Sequence, residues 1–282
     1  MIKLRTFAKL NLSLALFKPR LDGYHPLQSV FQTISLHDTL TLTKQPKHHW
    51  HLSCNNPKVP TDETNLLSKV FRSFEPQLEF GLEIHLEKTI PLGGGCGGGS
   101  SNAAALMHFL NTEADWNYSL EKLEELSLPF GADIPFFIRG GTAYVEGIGE
   151  KLSPLPALKD IYFVLINPGF SMHTQTMYKA WDKENPKAKN PSNTVISLAA
   201  PYLGNNDFLN VGCTVYPELK TALDQLSTID DTPVHLSGSG STLFTVFNTI
   251  KEAQQWKAKA EAKHPQWTFY LAEPTPQGHL YV

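Results

Sequence analysis

Nothing in this chain approaches the roughly 18 consecutive apolar residues that a membrane-spanning helix needs, so no transmembrane segment is expected. Cysteine is scarce. Cys54, Cys96 and Cys213 are odd in number and far apart, which excludes a disulfide framework and a CxxC metal pair. A strong charge of either sign is also missing. Lysine and arginine total 24 against 27 aspartate and glutamate, a formal net charge of −3 that argues against nucleic acid or an acidic membrane as partner. The chain starts Met1-Ile-Lys-Leu-Arg-Thr-Phe-Ala-Lys9, already strand-like, without the apolar block and cleavage site of a signal peptide. No internal repeat is evident. The expectation is a soluble cytoplasmic protein, a monomer or weak homodimer, with a small-molecule partner. Its 282 residues, 41% of them hydrophobic, give room for one large or two modest domains.

Glycine is plentiful in one place: six of the 19 fall between Gly93 and Gly99. Each forfeits about 0.5–1 kcal/mol against alanine inside a regular element, so such a run belongs where backbone approaches something closely or takes φ > 0. Leu82-Glu-Ile-His-Leu-Glu-Lys88 before it alternates as a strand does, and after it alanines run on to Met107 and Leu110 at helical spacing. Ser100 or Ser101 is the expected N-cap of that helix. Strand, glycine loop and helix N-terminus together aim free N–H groups and the positive end of a helix dipole at a phosphate.

Gly93-Gly-Gly95-Cys-Gly-Gly98 also fits G-x-G-x-x-G, but a dinucleotide site should open the first βαβ unit and meet an acidic residue about 20 residues later. Here the loop follows at least four strands, and Asp115 sits among helix-connecting residues. A Walker loop is excluded because no lysine follows the glycines. A plain glycine hinge is the bland alternative, disfavoured by the density of the run and by the Ser-Ser pair.

Along the chain, Leu10, Leu12, Leu14 and Leu16 alternate with Asn11, Ser13 and Ala15 as a half-buried strand, and residues 28–36 read as a second. Residues 39–43 and 49–53 read as a hairpin around Pro46-Lys47. Helical spacing is expected at 65–74, 120–126, 174–182, 215–226 and 251–263, with a polar loop at 183–194. Further strands are expected at 142–146, 161–166, 234–236, 243–247 and 267–272. The proline-punctuated Ser153-Pro-Leu-Pro156 is the expected boundary, giving domains 1–152 and 153–282. Strands interleaved with helices, the first in hairpin order, predict an α+β fold with mixed or mostly antiparallel sheets.

Three blocks carry a family resemblance. Pro91-Leu-Gly-Gly-Gly-Cys-Gly-Gly-Gly-Ser-Ser-Asn-Ala-Ala resembles the phosphate-binding motif of the GHMP small-molecule kinases. Ala8-Lys-Leu-Asn-Leu12, with Asp22-Gly-Tyr-His25 and Gln28-Ser-Val-Phe-Gln32, is similar to an N-terminal motif within that family. Leu236-Ser-Gly-Ser-Gly240, followed by Ser241-Thr-Leu-Phe244, resembles the C-terminal glycine motif. With Gly131-Ala-Asp-Ile-Pro135, the likeness runs from about residue 7 to 247 and is thin over 180–230. Cys96 stands where the motif usually has leucine; a small hydrophobe preserves packing, and the loop is expected to gain a reactive thiol.

The resemblance implies a GHMP-kinase-like two-domain fold and a kinase that uses ATP with Mg²⁺. The triple glycine Gly97-Gly-Gly99 and the Tyr24-His25 pair are similar to those of members that phosphorylate the 2-hydroxyl of a cytidine-diphosphate-linked methylerythritol, a step in non-mevalonate isoprenoid synthesis. A mevalonate-, homoserine- or sugar-type GHMP kinase, a non-catalytic nucleotide-binding relative, and more remotely a dinucleotide oxidoreductase are the alternatives.

Asp133 leads into the apolar run Ile134-Pro-Phe-Phe-Ile138 and needs a partner there; a helix-capping aspartate is the plain alternative. Lys9 interrupts an apolar strand, where a solvated edge lysine is the plain reading. By resemblance the two pair as the catalytic residues, Asp133 as base or orienter and Lys9 as electrostatic stabiliser. By resemblance ATP is held by Pro91, Leu92, Gly93, Gly94, Gly95, Cys96, Gly97, Gly98, Gly99, Ser100 and Ser101. Ser100 or Ser101 is a candidate contact to Mg²⁺, whose ligands are otherwise unassigned. Asn65 is expected either at adenosine or as a helix N-cap. Asn11, Tyr24, His25, Thr174, Tyr178, Gly238 and Gly240 are the candidate substrate residues, Tyr24 and Tyr178 as aromatics for stacking a cytosine. The cluster His48, His49, His51 and Cys54 lacks a compatible metal-ligand set and is read as a polar hairpin.

Overall fold

The alternation around Leu10 belongs to a 15-residue strand, β1 (Ile2–Leu16), in a computed structural model that describes residues 1–191 and 202–282. The chain continues through β2 (Leu27–Gln45), β3 (Trp50–Cys54), α1 (Leu66–Phe74), β4 (Gly81–Glu87), α2 (Gly98–Glu113), α3 (Leu120–Ser127), α4 (Ile134–Arg139), β5 (Thr142–Glu146), β6 (Lys151–Pro154) and β7 (Tyr162–Asn167). After these come α5 (Thr174–Glu184), α6 (Phe208–Val215), α7 (Pro217–Leu226), β8 (His235–Leu236), β9 (Leu243–Phe247), α8 (Ile250–Lys263), β10 (Thr268–Ala272) and β11 (His279–Tyr281).

Two sheets result. The first runs β11-β1-β2-β4-β3, with β5 pairing the early part of β2 and β6 pairing β5. The second runs β10-β7-β9-β8. Among the described strands only β3 and β4 pair in parallel, so the expected α+β fold with mostly antiparallel sheets holds. The sequence boundary at 152/153 falls inside β6, and β11 returns the chain to the first sheet. No described helix is long and apolar enough to cross a membrane.

β1 is buried on both faces from Thr6 to Leu14, not half-buried as its alternation predicts, so Lys9, Asn11 and Ser13 are polar side chains inside the molecule. Ala8, Leu10 and Leu12 pack with Phe163 and Leu165 of β7 and Phe244 of β9 in one core. A register shift against β2 between Asn11 and Ser13 then turns the alternation over. Leu14 and Leu16 therefore join the other, larger core, where the helices pack. Lys9 and Asn11 lie on the face opposite Leu10, beside the start of α2. α2 is the central helix of that layer, and its small, fully buried Ala103, Ala104 and Ala105 let α1, α4 and β1 come close.

The expected hairpin between 39–43 and 49–53 is not formed. β4 lies between its two arms: residues 39–45 of β2 pair with β4, whose other edge takes β3. Leu82, Ile84 and Leu86 are buried and Glu83, His85 and Glu87 are exposed, so β4 presents a clean apolar face that earns the interior position. Gly81 makes this possible, because a Cβ there would clash with the carbonyl oxygens of Pro46 and His49. Among the described residues no three His, Cys, Asp or Glu side chains converge as a metal site. α4, α6, β6 and β11 are not anticipated by the sequence pattern, and residues 192–194 of the expected polar loop lie outside the described residues. Gly81→Ala is expected to lower stability by about 1–3 kcal/mol, read as a lowered midpoint in thermal unfolding; an unchanged midpoint contradicts the crowding.

Candidate active site

The glycine loop ends on Gly97, whose φ of 69° is left-handed, and α2 begins at Gly98. Ser100 and Ser101 therefore lie inside the first turn, correcting the expected N-cap. A side chain at Gly97 would press on the Phe137 ring at 2.6 Å and on Cγ of Lys9 at 3.2 Å. Only glycine fits, and it caps with no side-chain oxygen. The first amides of α2 are thus left for a ligand, with the dipole behind them. Residues 91–100, with Leu66 and Lys88, line a pocket of about 230 Å³.

Lys9 is joined to this loop through main chain: its N–H donates to the Cys96 carbonyl at 3.0 Å. The second glycine turn docks beside it. Thr242 N–H donates to the Gly94 carbonyl at 3.2 Å, and the Ser237 hydroxyl to the Gly95 carbonyl at 3.2 Å. A Cβ at Gly95 would collide with the Ser237 carbonyl, so the turns meet backbone to backbone. Cys96 is 1% exposed, and burial pushes its thiol up from the usual range. The expected reactivity is not supported; a buried, protonated thiol is inert.

The Lys9 ammonium lies 3.7 Å from Oδ2 of Asp133, 4.3 Å above the Phe31 ring, and donates to Oδ1 of Asn11. Lys9 is 4% exposed on a central strand, not a solvated edge lysine. Asp133 occupies the N-cap position of α4, yet its carboxylate makes no capping bond. With 36% of that side chain exposed, it remains open to a ligand. The Tyr178 phenol is pushed up to about 12, by burial first and then by the negative charge of Asp133.

On the other side of Asp133, α5 turns one face to the site. Thr174 bonds Ser239 at 2.8 Å, and the Tyr178 ring lies 4.8 Å from that of His25. Asn11 bonds Ser29 at 3.0 Å, and Gly238 sits against Asn11 and Gly95. Tyr24 is 60% exposed at the tip of the preceding turn. Asn65 caps α1, accepting from Leu67 N–H at 2.9 Å and donating to the Pro60 carbonyl at 2.6 Å. Both polar ends of its amide are engaged in that cap.

Residues 65–141 match the GHMP kinases N terminal domain. A relative from Clostridium botulinum, named 4-diphosphocytidyl-2-C-methyl-D-erythritol kinase, is 35% identical over 272 residues, covering 93% of this chain and 97% of its own length. A relative of the same name from Aliivibrio fischeri is 40% identical over 249 residues, covering 88% and 84%. The chain belongs to the 4-diphosphocytidyl-2-C-methyl-D-erythritol kinase family. A crystal structure of 4-(cytidine 5'-diphospho)-2C-methyl-D-erythritol kinase superposes with a TM-score of 0.77 at 29% identity, covering 96% of this chain and 98% of the other.

This GHMP kinase holds site residues that the motifs do not mark. Lys88 ends the β4 alternation, and its ammonium would be 2.6 Å from a Cβ on Gly98, at the start of α2. Its partner is Asp38, fully buried, with 2.5 Å between Nζ and Oδ2. The other oxygen of Asp38 accepts from the N–H groups of Thr89 and Ile90, both at 2.8 Å, fixing the stretch that leads into the loop. A buried aspartate amid the apolar residues of β2 was the signal for this pair. Asn206 is the second omission: its amide donates to the carbonyls of Leu236 and Gly238 and so holds the second glycine turn. Asp38→Asn strands the Lys88 charge and is expected to cost about 3 kcal/mol in urea unfolding. Glu63→Gln, which breaks an exposed pair with Arg72, should cost below about 1 kcal/mol. Equal losses contradict the assignment.

Proposed function

We propose that this chain transfers the γ-phosphate of ATP to the 2-hydroxyl of 4-diphosphocytidyl-2-C-methyl-D-erythritol. The observation that carries the chemistry is the Lys9–Asp133 pair, tied by the main-chain bond from Lys9 to Cys96 to an uncapped helix N-terminus. The substrate comes from the relatives' names and from the placement of Tyr178 beside His25.

In this reading the amides of residues 94–101 cradle the triphosphate, and Lys88 adds positive charge beside them. Asp133 orients the substrate hydroxyl and accepts its proton as the phosphorus–oxygen bond forms. Lys9 offsets charge growing on the transferred group. Tyr24 and Tyr178 flank the cytosine, with Thr174, Gly238 and Gly240 on its diphosphate side.

Mg²⁺ fits as a companion of the nucleotide. No protein cage of acidic ligands exists among the described residues, so the phosphates and water would supply most of its oxygens. The Ser101 hydroxyl, buried without a hydrogen-bond partner, and that of Ser100 are the neighbouring protein oxygens. When bound, the ion neutralises phosphate charge.

Asp133→Asn is expected to cut kcat by roughly 10²–10⁴ while ATP affinity stays within about threefold, measured by coupled ADP release and nucleotide titration. The diphosphocytidyl alcohol, mevalonate and homoserine are to be offered in parallel. Turnover of mevalonate or homoserine alone rejects the substrate, and undiminished turnover by Asp133→Asn rejects the base.

A further inference from the structure

The Lys9 ammonium sits closer to a neutral amide than to its carboxylate partner. Nζ lies 2.5 Å from Oδ1 of Asn11 and 3.7 Å from Oδ2 of Asp133, so the second contact is an ion pair without a hydrogen bond. Lys9 and Asn11 share one face of β1, and Ser29 and Phe31 share one face of the neighbouring β2, with Asn11 directly opposite Phe31. The Phe31 ring lies under the ammonium. Ser29 lies behind the amide: Nδ2 of Asn11 donates to its Oγ at 3.0 Å, and the Ser29 hydroxyl donates in turn to the Ser13 main-chain carbonyl. Lys9, Asn11 and Phe31 are buried, and Ser29 is fully so.

This row of bonds runs in one direction. A carbonyl oxygen only accepts and a serine hydroxyl carries one proton, so the Ser29 proton points at Ser13 and its oxygen can only accept from Asn11. The NH₂ end of the Asn11 amide therefore faces Ser29, and its oxygen faces Lys9. A reversed amide would set oxygen against oxygen at Ser29 and donor against donor at Lys9, with every atom buried.

We propose that Ser29 is a positioning residue for phosphoryl transfer, acting through Asn11 to hold Lys9 back from Asp133. With one donor engaged by Asn11, the ammonium stays near Asp133 without bonding it, and the carboxylate oxygens are left for the alcohol. Without the Ser29 hydroxyl the amide is free to turn, and Lys9 closes on Asp133 as a direct charged pair. The inference rests on the kinase reading above and adds to it a residue that touches neither substrate.

The experiment measures kcat and KM for the wild type, Ser29→Ala and Ser29→Thr, with a crystal structure of Ser29→Ala and a neutron structure of the wild type. In Ser29→Ala kcat should fall about tenfold or more while KM for ATP stays within about threefold. The distance from Lys9 to Asp133 should shorten to about 2.8 Å, a change that a merely structural serine would not produce. Ser29→Thr keeps the hydroxyl and should recover most of the rate. In the wild type the Ser29 deuteron should point at the Ser13 carbonyl and the Asn11 ND₂ group at Ser29. An unchanged kcat in a folded Ser29→Ala, an unchanged distance from Lys9 to Asp133, or a wild-type Ser29 deuteron aimed at Asn11 overturns the role of Ser29 and leaves the kinase standing. A wild type that phosphorylates no diphosphocytidyl alcohol removes the kinase reading and this inference with it. Should Ser29→Ala fail to fold, the wild-type neutron structure still decides.

Discussion

The site depends on main chain meeting main chain at the glycine loop. The Lys9 N–H to Cys96 carbonyl bond, at 3.0 Å, fastens the central strand of the larger sheet to the loop, and Thr242 fastens the second glycine turn to Gly94. Side chains at Gly95 or Gly97 would fill the contact surfaces of these three segments. The joins are made by backbone, so the side chain at position 96 is free to vary within a packing limit. A buried cysteine meets that limit without adding chemistry. Every charged group proposed to touch the transferred phosphate takes its place from this arrangement.

Two lysines converge on the N-terminal end of α2, and their carboxylate partners divide the work by exposure. Asp38 is fully buried, bonded to two amides, and belongs to the framework that aims Lys88. Asp133 is more than a third exposed, makes no capping bond, and is the proposed base. A lysine 4 Å from an opposite charge gains about 4 kcal/mol at an effective dielectric of 20, enough for two such groups and a helix dipole to hold a polyphosphate. In the proposed reaction Lys9 serves in both directions, toward the phosphate and toward Asp133.

Much of this was legible in the sequence, for identifiable reasons. Period-two alternation marked β4 and the first half of β1, and Asn65 announced the start of α1 by its residue type. The alternation misled at Leu14 and Leu16, because a bulge at Leu12 moves them into the other core and nothing local marks a bulge. The hairpin failed because the turn at Pro46-Lys47 is real while the pairing partner is a strand from further along the chain. α6 was missed because Phe208-Leu-Asn-Val-Gly-Cys-Thr-Val215 mixes β-branched residues with a glycine, poor helix formers whose packing on α7 and α5 decides the outcome. β11 is three residues long, too short for any period. Within the site, the glycines stood out by their density and Lys9 and Asp133 by their apolar context, while their pairing came from the family resemblance. Ser29 did not stand out, since a serine inside a strand carries no signal of its own, and only its bonds to Asn11 and Ser13 give it a role.

A structure with a non-hydrolysable ATP analogue and the diphosphocytidyl alcohol tests the central claim most directly. The account requires the β- and γ-phosphates on the amides of residues 94–101, the Lys9 ammonium beside the γ-phosphate, and the substrate 2-hydroxyl within hydrogen-bonding reach of Asp133. A triphosphate bound away from the start of α2, or a hydroxyl oriented by some other residue, would contradict it.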